Sequence, residues 1–336
     1  EDDVTERLRG RFAHWQSVAT WSDDALFDAI RADGIDLLVD LSGHTGYNRL
    51  PVFARKPAPV QASWIGYPGT TGLAAVDYFL CDRFLLPPGR FDDQFVEKIV
   101  RLPGIAPFQP DPAAPPVNAL PALENGYVTF GSFNRPNKLN RAVIALWARL
   151  LRTLPDARLL LGAMPAGGHE TLRGWFETEG ITADRLAFHP RSGMADYLAL
   201  HHRVDFCLDT FPYNGGTTTH HALWMGVPTL TLAGASMPGR VGVANLLQAG
   251  VEGFAVESAD AFVERGLEWA RNLPALAALR AGLREQLLRH PLRDPLRLSE
   301  SVRLALRGMW TRHCTGQPVE AFEIELPAEA ACKGRT

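Results

Sequence analysis

Apolar positions along this chain of 336 residues follow a regular rhythm from residue 126 onward. Short apolar runs alternate there with segments whose apolar residues recur at helical spacing. The runs predict strands at 127–133, 158–163, 185–189, 205–209, 228–232 and 252–256, each followed by a helical pattern. Such alternation is typical of a parallel sheet covered by helices. The later part of the chain is therefore predicted to form one complete parallel α/β lobe.

The earlier part of the chain contains the same kinds of element in a less regular order. A helical pattern covers 21–34, and apolar runs predict strands at 35–41, 60–65, 76–81 and 98–102. A passage rich in Pro and Ala follows and is typical of a linker between lobes. We predict four regions: an N-terminal lobe at 1–106, a linker at 107–125, a C-terminal lobe at 126–310 and a loosely ordered tail at 311–336.

Composition narrows the class of protein. The net charge is −3 and there is no long basic run, so neither nucleic acid nor an anionic membrane surface is an expected partner. No stretch approaches the ~18 uninterrupted apolar residues of a membrane span, and no signal peptide opens the chain. The four cysteines lack C-x-x-C pairing, which disfavours a disulfide framework and a zinc site. We therefore expect a cytoplasmic protein.

A turn between a predicted strand and a predicted helix contains several residues that could bind an anion. It lies in DFCLDTFPYNGGTTTHHALWMG, at 205–226. Gly215 and Gly216 let a ligand approach the backbone, and the threonines at 217–219 add hydroxyls to the free N–H groups of the first helical turn. Phosphate binds readily at such a helix start. An ordinary helix cap accounts for the same residues, so this motif alone leaves both interpretations open.

A second turn of the same kind lies in YVTFGSFNRPNKLNRAVIALWARLL, at 127–151. It carries polar and cationic side chains, including Asn134, Arg135, Asn137 and Lys138. In an open parallel α/β sheet, ligands bind at the carboxyl ends of the strands, so the two turns can face one ligand. Lys138 would then neutralise a phosphate. A solvated surface lysine is the alternative.

Three motifs in order resemble the catalytic region of the O-linked N-acetylglucosamine transferases, which are grouped with the plant Spindly proteins. They are LSGHTGYNRLPVFARKPAPVQASWIGYPGTTG (41–72), FGSFNRPNKLN (130–140) and CLDTFPYNGGTTTHHALWMGVPTLTL (207–232). The resemblance extends over about residues 1–310. It implies two Rossmann-like α/β lobes facing a cleft, the GT-B-type glycosyltransferase fold. It also implies that the N-terminal lobe is incomplete in this chain and that tetratricopeptide repeats lie upstream.

The resemblance further implies an inverting transfer of a sugar from a nucleotide diphosphate to a hydroxyl. We expect UDP-N-acetylglucosamine as donor and protein serine or threonine as acceptor. GDP-fucose and UDP-glucose remain alternative donors, and a non-catalytic scaffold that binds a sugar nucleotide remains an alternative function. The departing diphosphate gains negative charge, which Lys138 and the helix start at Thr217 and Thr218 are suited to stabilise. No metal or other cofactor is expected, because an ammonium, hydroxyls and helix N–H groups can replace it.

The family's site residues carry over to matching positions of this sequence. Lys138 matches the catalytic lysine, and Tyr197 matches a position that packs against uracil, with one edge of an amphipathic helix as the alternative. The sugar pocket is assigned to Ile65, Gly66, Pro68 and Tyr213. The nucleotide sugar is assigned to Asn134, Arg135, Asn137, Ser192, Tyr197, Asn214, Gly216, Thr217, Thr218 and His221.

Three positions depart from the family's pattern. The best known relatives carry histidine at the position of Gly216, many carry glutamine at that of Arg135, and several carry at that of His221 an acidic residue assigned to a ribose hydroxyl. Imidazole can also donate or accept a hydrogen bond. Arg135 either contacts a phosphate or points to solvent. A metal bound by His220 and His221 is disfavoured, because adjacent residues on a helix face different directions.

The general base has two candidates. His44, within SGHTG, is a candidate proton acceptor because the ordinary pKa of histidine lies near neutrality. The family's better known base candidate is a histidine upstream of this region. If that missing segment supplies the base, we expect this chain alone to be inactive.

Overall fold

A computed structural model describes residues 2–104, 108–290 and 294–326 of the chain. The strands are β1 Leu37–Asp40, β2 Val60–Trp64, β3 Tyr78–Asp82, β4 Lys98–Leu102, β5 Thr129–Ser132, β6 Arg158–Met164, β7 Leu186–Pro190, β8 Phe206–Leu208, β9 Thr229–Leu232, β10 Ala255–Val256 and β11 Phe322–Glu323. The helices are α1 Asp3–Arg9, α2 Asp23–Ala32, α3 Leu50–Ala54, α4 Ala122–Asn125, α5 Arg141–Thr153, α6 Glu170–Thr178, α7 Met194–Ala199, α8 Thr217–Trp224, α9 Val241–Leu247, α10 Ala259–Arg271, α11 Leu273–Arg289 and α12 Pro295–Cys314.

The strands form two sheets, with the orders β1-β2-β3-β4-β11 and β10-β9-β8-β5-β6-β7. Strand pairs in both sheets run parallel. Parallel strands are buried on both faces, which explains why the sequence shows near-continuous apolar runs rather than alternation. The prediction of two parallel α/β sheets is confirmed.

The chain packs into two compact units. The first contains the described residues of Glu1–Leu80, Val96–Lys98 and Leu306–Ala321. The second contains those of Cys81–Phe95, Ile99–Ala305 and Phe322–Thr336. The lobe boundaries predicted from the sequence stay a prediction.

The end of the chain is more ordered than its composition indicated. Helix α12 runs on to Cys314, and β11 pairs in parallel with β4, so that Phe322 lies opposite Val100. A two-residue strand is too short to leave a periodic signal in the sequence. Residues 327–336 of the predicted tail lie outside the described residues.

The second unit is built around aromatic side chains between its sheet and its helices. Phe130, Trp147, Phe176, Phe206 and Phe254 are all buried, and the rings of Phe130 and Phe206 meet edge to face at 4.9 Å. Full burial of such a side chain contributes about 1.5–3 kcal/mol. This core fixes β5 and β8 side by side.

Arginine side chains of α11 hold the predicted linker in place within the second unit. Arg280 is 1% exposed, its Nε donates to Asn118 O at 2.9 Å and its Nη1 donates to Val204 O at 2.8 Å. A buried guanidinium with several acceptors satisfies its donors and orients the chain around it. Among the helices of the described residues, none is long and apolar enough to cross a membrane.

Adjacent parallel strands bring two loops to one sheet edge. In the β5–β8 pair, Phe130 lies opposite Phe206 and Gly131 opposite Cys207. A Cβ at Gly131 would lie 2.6 Å from Cγ1 of Val204, so a larger residue there would disturb the packing of β5. Since both strands point the same way, the loops that follow them begin next to each other.

Candidate active site

The two turns predicted to face one ligand do meet. Lys138, at the end of a 3-10 turn after β5, donates from Nζ to Asn214 O at 2.6 Å, and this nitrogen lies 4.0 Å from the centroid of the Tyr213 ring. Burial lowers the pKa of Lys138, while the negative charge of Asp209 acts in the opposite direction. The ammonium is thus half-buried and held at the turn that precedes α8.

A buried carboxylate organises this turn. Asp209, directly after β8, is 1% exposed, and its Oδ1 accepts hydrogen bonds from Gly215 N (2.7 Å), Thr210 N (2.9 Å) and Asn134 Nδ2 (3.1 Å). Its Oδ2 accepts from Thr231 Oγ1 at 3.0 Å. Burial raises the pKa of Asp209 to about 6, and these hydrogen bonds limit the rise. The carboxylate therefore ties together the loop after β5, the turn before α8 and β9.

The start of α8 is open to a ligand. Gly216 precedes the helix, and the described residues give it no side-chain N-cap hydrogen bond. Thr217 is exposed, and the Thr218 hydroxyl donates to Asn134 Oδ1 at 3.1 Å. Asn214 is fully buried, and its Oδ1 has no hydrogen-bond partner among the described residues. Helix N–H groups, hydroxyls and one ammonium at a single place suit an anion.

The two glycines of the turn have different roles. A Cβ at Gly215 would lie 2.7 Å from Thr219 Oγ1 and 2.8 Å from Thr218 Oγ1, which is closer than real Cβ atoms come. A Cβ at Gly216 would meet only Cγ1 of Val241, at an ordinary 3.5 Å. Gly215 is thus required by space, while Gly216 is not. The room at Gly216 agrees with the histidine expected there in relatives.

The predicted base-binding residues lie in an aromatic cluster. His221 Nδ1 lies 3.3 Å from the Tyr197 hydroxyl, and the two rings are 5.4 Å apart. Tyr197 also packs edge to face on Phe133 and His201, at 5.6 and 5.3 Å. Burial raises the pKa of Tyr197 and lowers that of His221, so both are neutral near pH 7. Phe108, from the predicted linker, contacts the His221 ring at 5.3 Å.

Three predicted residues lie apart from these contacts. Arg135, Asn137 and Ser192 are exposed. In the described part of the chain, their side chains form no hydrogen bond with the other residues of the predicted site. Arg135 acts on it through charge, because its guanidinium lowers the pKa of Lys138.

His44 lies in the first unit, in the loop after β1. Its Nε2 lies 3.1 Å from Thr70 O, and its ring meets Tyr67 edge to face at 5.2 Å. In the tautomer in which Nε2 donates to that carbonyl, Nδ1 is the acceptor. Thr70 Oγ1 in turn donates to the buried Glu97 carboxylate at 2.6 Å. The loop that holds His44 is therefore anchored through Thr70.

The predicted sugar-pocket residues of the first unit follow β2. Ile65 has φ of 61° and is 48% exposed. A β-branched residue in this left-handed region is strained, and such strain often marks a functional site. A Cβ at Gly66 would collide with Leu41 O, so only glycine fits there. Pro68 is half-buried in the same loop.

Within the described residues, no group of three or more His, Cys, Asp or Glu side chains could hold a metal ion. The expectation of a reaction without a metal stays a prediction.

The chain matches glycosyl transferase family 41 over residues 11–107 and 118–298. It belongs to this family. The family predicted from the three motifs is thereby confirmed, and β5, β8 and the turns that follow them lie within the matched residues.

Sequence identity to individual plant proteins supports this family assignment. The Petunia hybrida protein described as a probable UDP-N-acetylglucosamine–peptide N-acetylglucosaminyltransferase SPINDLY is 36% identical over 97% of this chain and 36% of its own length. The corresponding Arabidopsis thaliana protein SEC is 31% identical over 95% of this chain and 34% of its own. This family 41 chain thus spans about a third of the length of these plant relatives.

A solved structure supports the fold. A mutant of the Thermobaculum terrenum O-GlcNAc transferase superposes with a TM-score of 0.85 at 37% identity, covering 94% of this chain and 61% of the other. Together with the two parallel sheets, this likeness shows that the family 41 chain has a GT-B-like fold.

Replacing Gly215 and Gly216 one at a time tests whether the space around each glycine, rather than its position in the turn, determines the effect on stability. We expect Gly215→Ala to lower the free energy of unfolding by about 1–3 kcal/mol, because the new methyl group collides with two threonine hydroxyls. Gly216→Ala, one residue away, should change it by no more than about 0.5 kcal/mol. Urea denaturation measures both. An equal loss in the two variants would contradict the steric assignment.

The buried carboxylate predicts a specific pH dependence. The folded protein raises the pKa of Asp209 from 3.8 to about 6, so folding favours its protonated form. This contribution to stability is complete below about pH 4 and is lost as the pH rises through 6. Asp209→Asn cannot titrate. The free energy of unfolding of the wild type, measured relative to Asp209→Asn, should therefore fall by about 3 kcal/mol between pH 4 and pH 7.

Urea denaturation of both proteins at the two pH values tests this expectation. A wild-type-to-variant difference that does not change with pH would show that the carboxylate is not buried as described.

Proposed function

We propose that this chain is the catalytic region of an inverting protein glycosyltransferase that moves N-acetylglucosamine from UDP-N-acetylglucosamine to serine or threonine hydroxyls. One observation carries the proposal. The ammonium of Lys138 lies 2.6 Å from the carbonyl of Asn214, at the turn that opens α8. A positive group and a helix start at one place form a site for the diphosphate of the donor.

The proposed catalytic effect is electrostatic. When the bond between sugar and diphosphate breaks, negative charge develops on the leaving oxygen. Lys138 and the N–H and hydroxyl groups of Thr217 and Thr218 stabilise that charge, and their positions are fixed before the reaction begins. Asp209 holds the turn in place through Gly215 N, and Lys138 has only to exchange Asn214 O for an oxygen of the diphosphate. The same groups balance the charge without a bound metal.

The remaining predicted residues have proposed roles toward the base, ribose and sugar of the donor. Tyr197 and His221 are proposed to hold the base and ribose, since they form a neutral pair joined at 3.3 Å. Tyr213 is proposed to contact the sugar, because its ring lies against the Lys138 ammonium. Ile65, Gly66 and Pro68 are assigned to the sugar by family resemblance.

The acceptor hydroxyl must lose a proton to a base. His44 is the candidate that this chain offers, and Nδ1 is its available atom when Nε2 donates to Thr70 O. A histidine outside this chain is the alternative, as the family resemblance implies. Asn134, Arg135, Asn137, Ser192, Asn214 and Gly216 are proposed to surround the nucleotide.

The cellular setting is also part of the proposal. The thiols of Cys81, Cys207 and Cys314 are free, which favours a reducing compartment such as the cytoplasm. A protein or peptide acceptor and tetratricopeptide repeats elsewhere in the protein complete the proposal.

Lys138 provides the most direct mutational test. Lys138→Met should lower the rate of sugar transfer by about 10²–10³-fold, because the leaving diphosphate loses its ammonium. Arg149→Met removes an exposed cation of α5 that lies outside the proposed site, and should lower the rate by no more than about threefold. Transfer to a peptide is measured in the longest natural form of the protein, with thermal unfolding as a check on folding. Full activity in Lys138→Met would contradict the proposal.

The donor is tested by calorimetric titration of this chain with UDP, GDP and their sugar conjugates. We expect UDP to bind at least about tenfold more tightly than GDP, a difference of about 1.4 kcal/mol, because the Tyr197–His221 pair is proposed to accept uracil. A preference for GDP would replace the donor with a guanosine sugar such as GDP-fucose. Tight binding without transfer in the longest natural form would favour a non-catalytic scaffold.

A further inference from the structure

One buried cation near the donor site has no role in the proposed chemistry. Arg240 is 3% exposed, and among the described residues its Nε and Nη1 have no hydrogen-bond partner. Arg280, which is buried to a similar degree, donates to several carbonyl oxygens instead. A buried guanidinium whose donors are unsatisfied carries a free-energy penalty, which an anion would remove.

The backbone on both sides of Arg240 contacts the turn before α8. Pro238 O accepts a hydrogen bond from Asn214 N at 3.0 Å. On the other side, Asn245 of α9 donates from Nδ2 to Gly216 O at 3.2 Å. The segment that carries Arg240 is therefore packed on the residues assigned to the diphosphate.

The surroundings of the guanidinium favour an anion. Its Cζ lies 5.4 Å from the centroid of the Phe91 ring, an apolar contact that keeps water from one face. The nearby charged groups are Arg90 and Glu257, which pair with each other at 3.6 Å and are largely exposed. Glu257 also acts on Arg240 through its charge, but it forms its ion pair with Arg90 at the surface.

We propose that Arg240 is a further binding residue, which donates hydrogen bonds to a phosphate oxygen of the donor's nucleoside diphosphate. This inference rests on the proposed function, since it requires the diphosphate to lie at the turn before α8. Arg240 and Lys138 then contact the same diphosphate, the first as a planar, always charged donor and the second as a compact ammonium. The penalty of the unsatisfied buried guanidinium is removed when the ligand binds.

The test compares affinities for UDP, UMP and uridine by calorimetry in the wild type and in R240Q, R240K and R90Q. R240Q should bind UDP about 10- to 100-fold more weakly, the effect of losing a charged hydrogen bond. Its affinity for uridine should stay within about twofold, because uridine has no phosphate. R240K should lie between R240Q and the wild type. R90Q removes a neighbouring exposed charge and should match the wild type within about threefold.

Thermal unfolding without ligand separates a binding role from a structural one. R240Q should unfold no earlier than the wild type, since an unsatisfied buried charge has been removed. Two results would overturn the inference about Arg240 without contradicting the proposed function. In the first, R240Q loses affinity for UDP and uridine by the same factor. In the second, R240Q binds UDP as tightly as the wild type does. Wild-type protein that binds neither UDP nor GDP would contradict both the inference and the proposed function. If the wild type prefers GDP, the same comparison with GDP, GMP and guanosine decides the matter.

Discussion

The hydrogen bonds of one buried carboxylate are the constraint on which the candidate site depends. Asp209 follows β8 directly and accepts from Gly215, Asn134 and Thr231, which belong to three different segments. A carboxylate removed from water is costly unless its oxygens are satisfied, so the segments must take up positions that satisfy it. The hydrogen bonds that satisfy this buried carboxylate, rather than interactions within the turn, therefore determine the shape of the turn before α8.

The turn held by Asp209 explains how the proposed site would bind a diphosphate. The turn places the Asn214 carbonyl 2.6 Å from Lys138 Nζ, and within the described ranges no side chain caps the start of α8. A bound anion stabilises both the half-buried ammonium and the uncapped helix start. In the proposed reaction these groups in turn stabilise the diphosphate, because its negative charge grows as the sugar leaves. Under the proposed function, groups that are already in place around the turn lower the barrier by stabilising this charge.

Much of the fold follows from periodicity, whereas much of the site does not. The apolar runs after residue 126 correctly predict β5 to β10, because parallel strands must be apolar on both faces. The turns at Lys138 and Gly216 are visible as breaks in that pattern. Asp209 was missed, because a single aspartate after a strand resembles any turn residue until packing shows it to be buried. Arg240 was missed for a related reason, since arginines are mostly exposed and nothing in its neighbours signals burial.

The central claim is that these two turns hold a diphosphate, and a crystal structure of the protein with UDP tests it most directly. We predict diphosphate oxygens within about 3 Å of Lys138 Nζ and of the backbone N–H groups at Thr217 and Thr218, the distance of a charged hydrogen bond. Lys138 should then exchange its contact with Asn214 O for one with phosphate. A diphosphate bound elsewhere, or a Lys138 side chain directed away from it, would contradict the account.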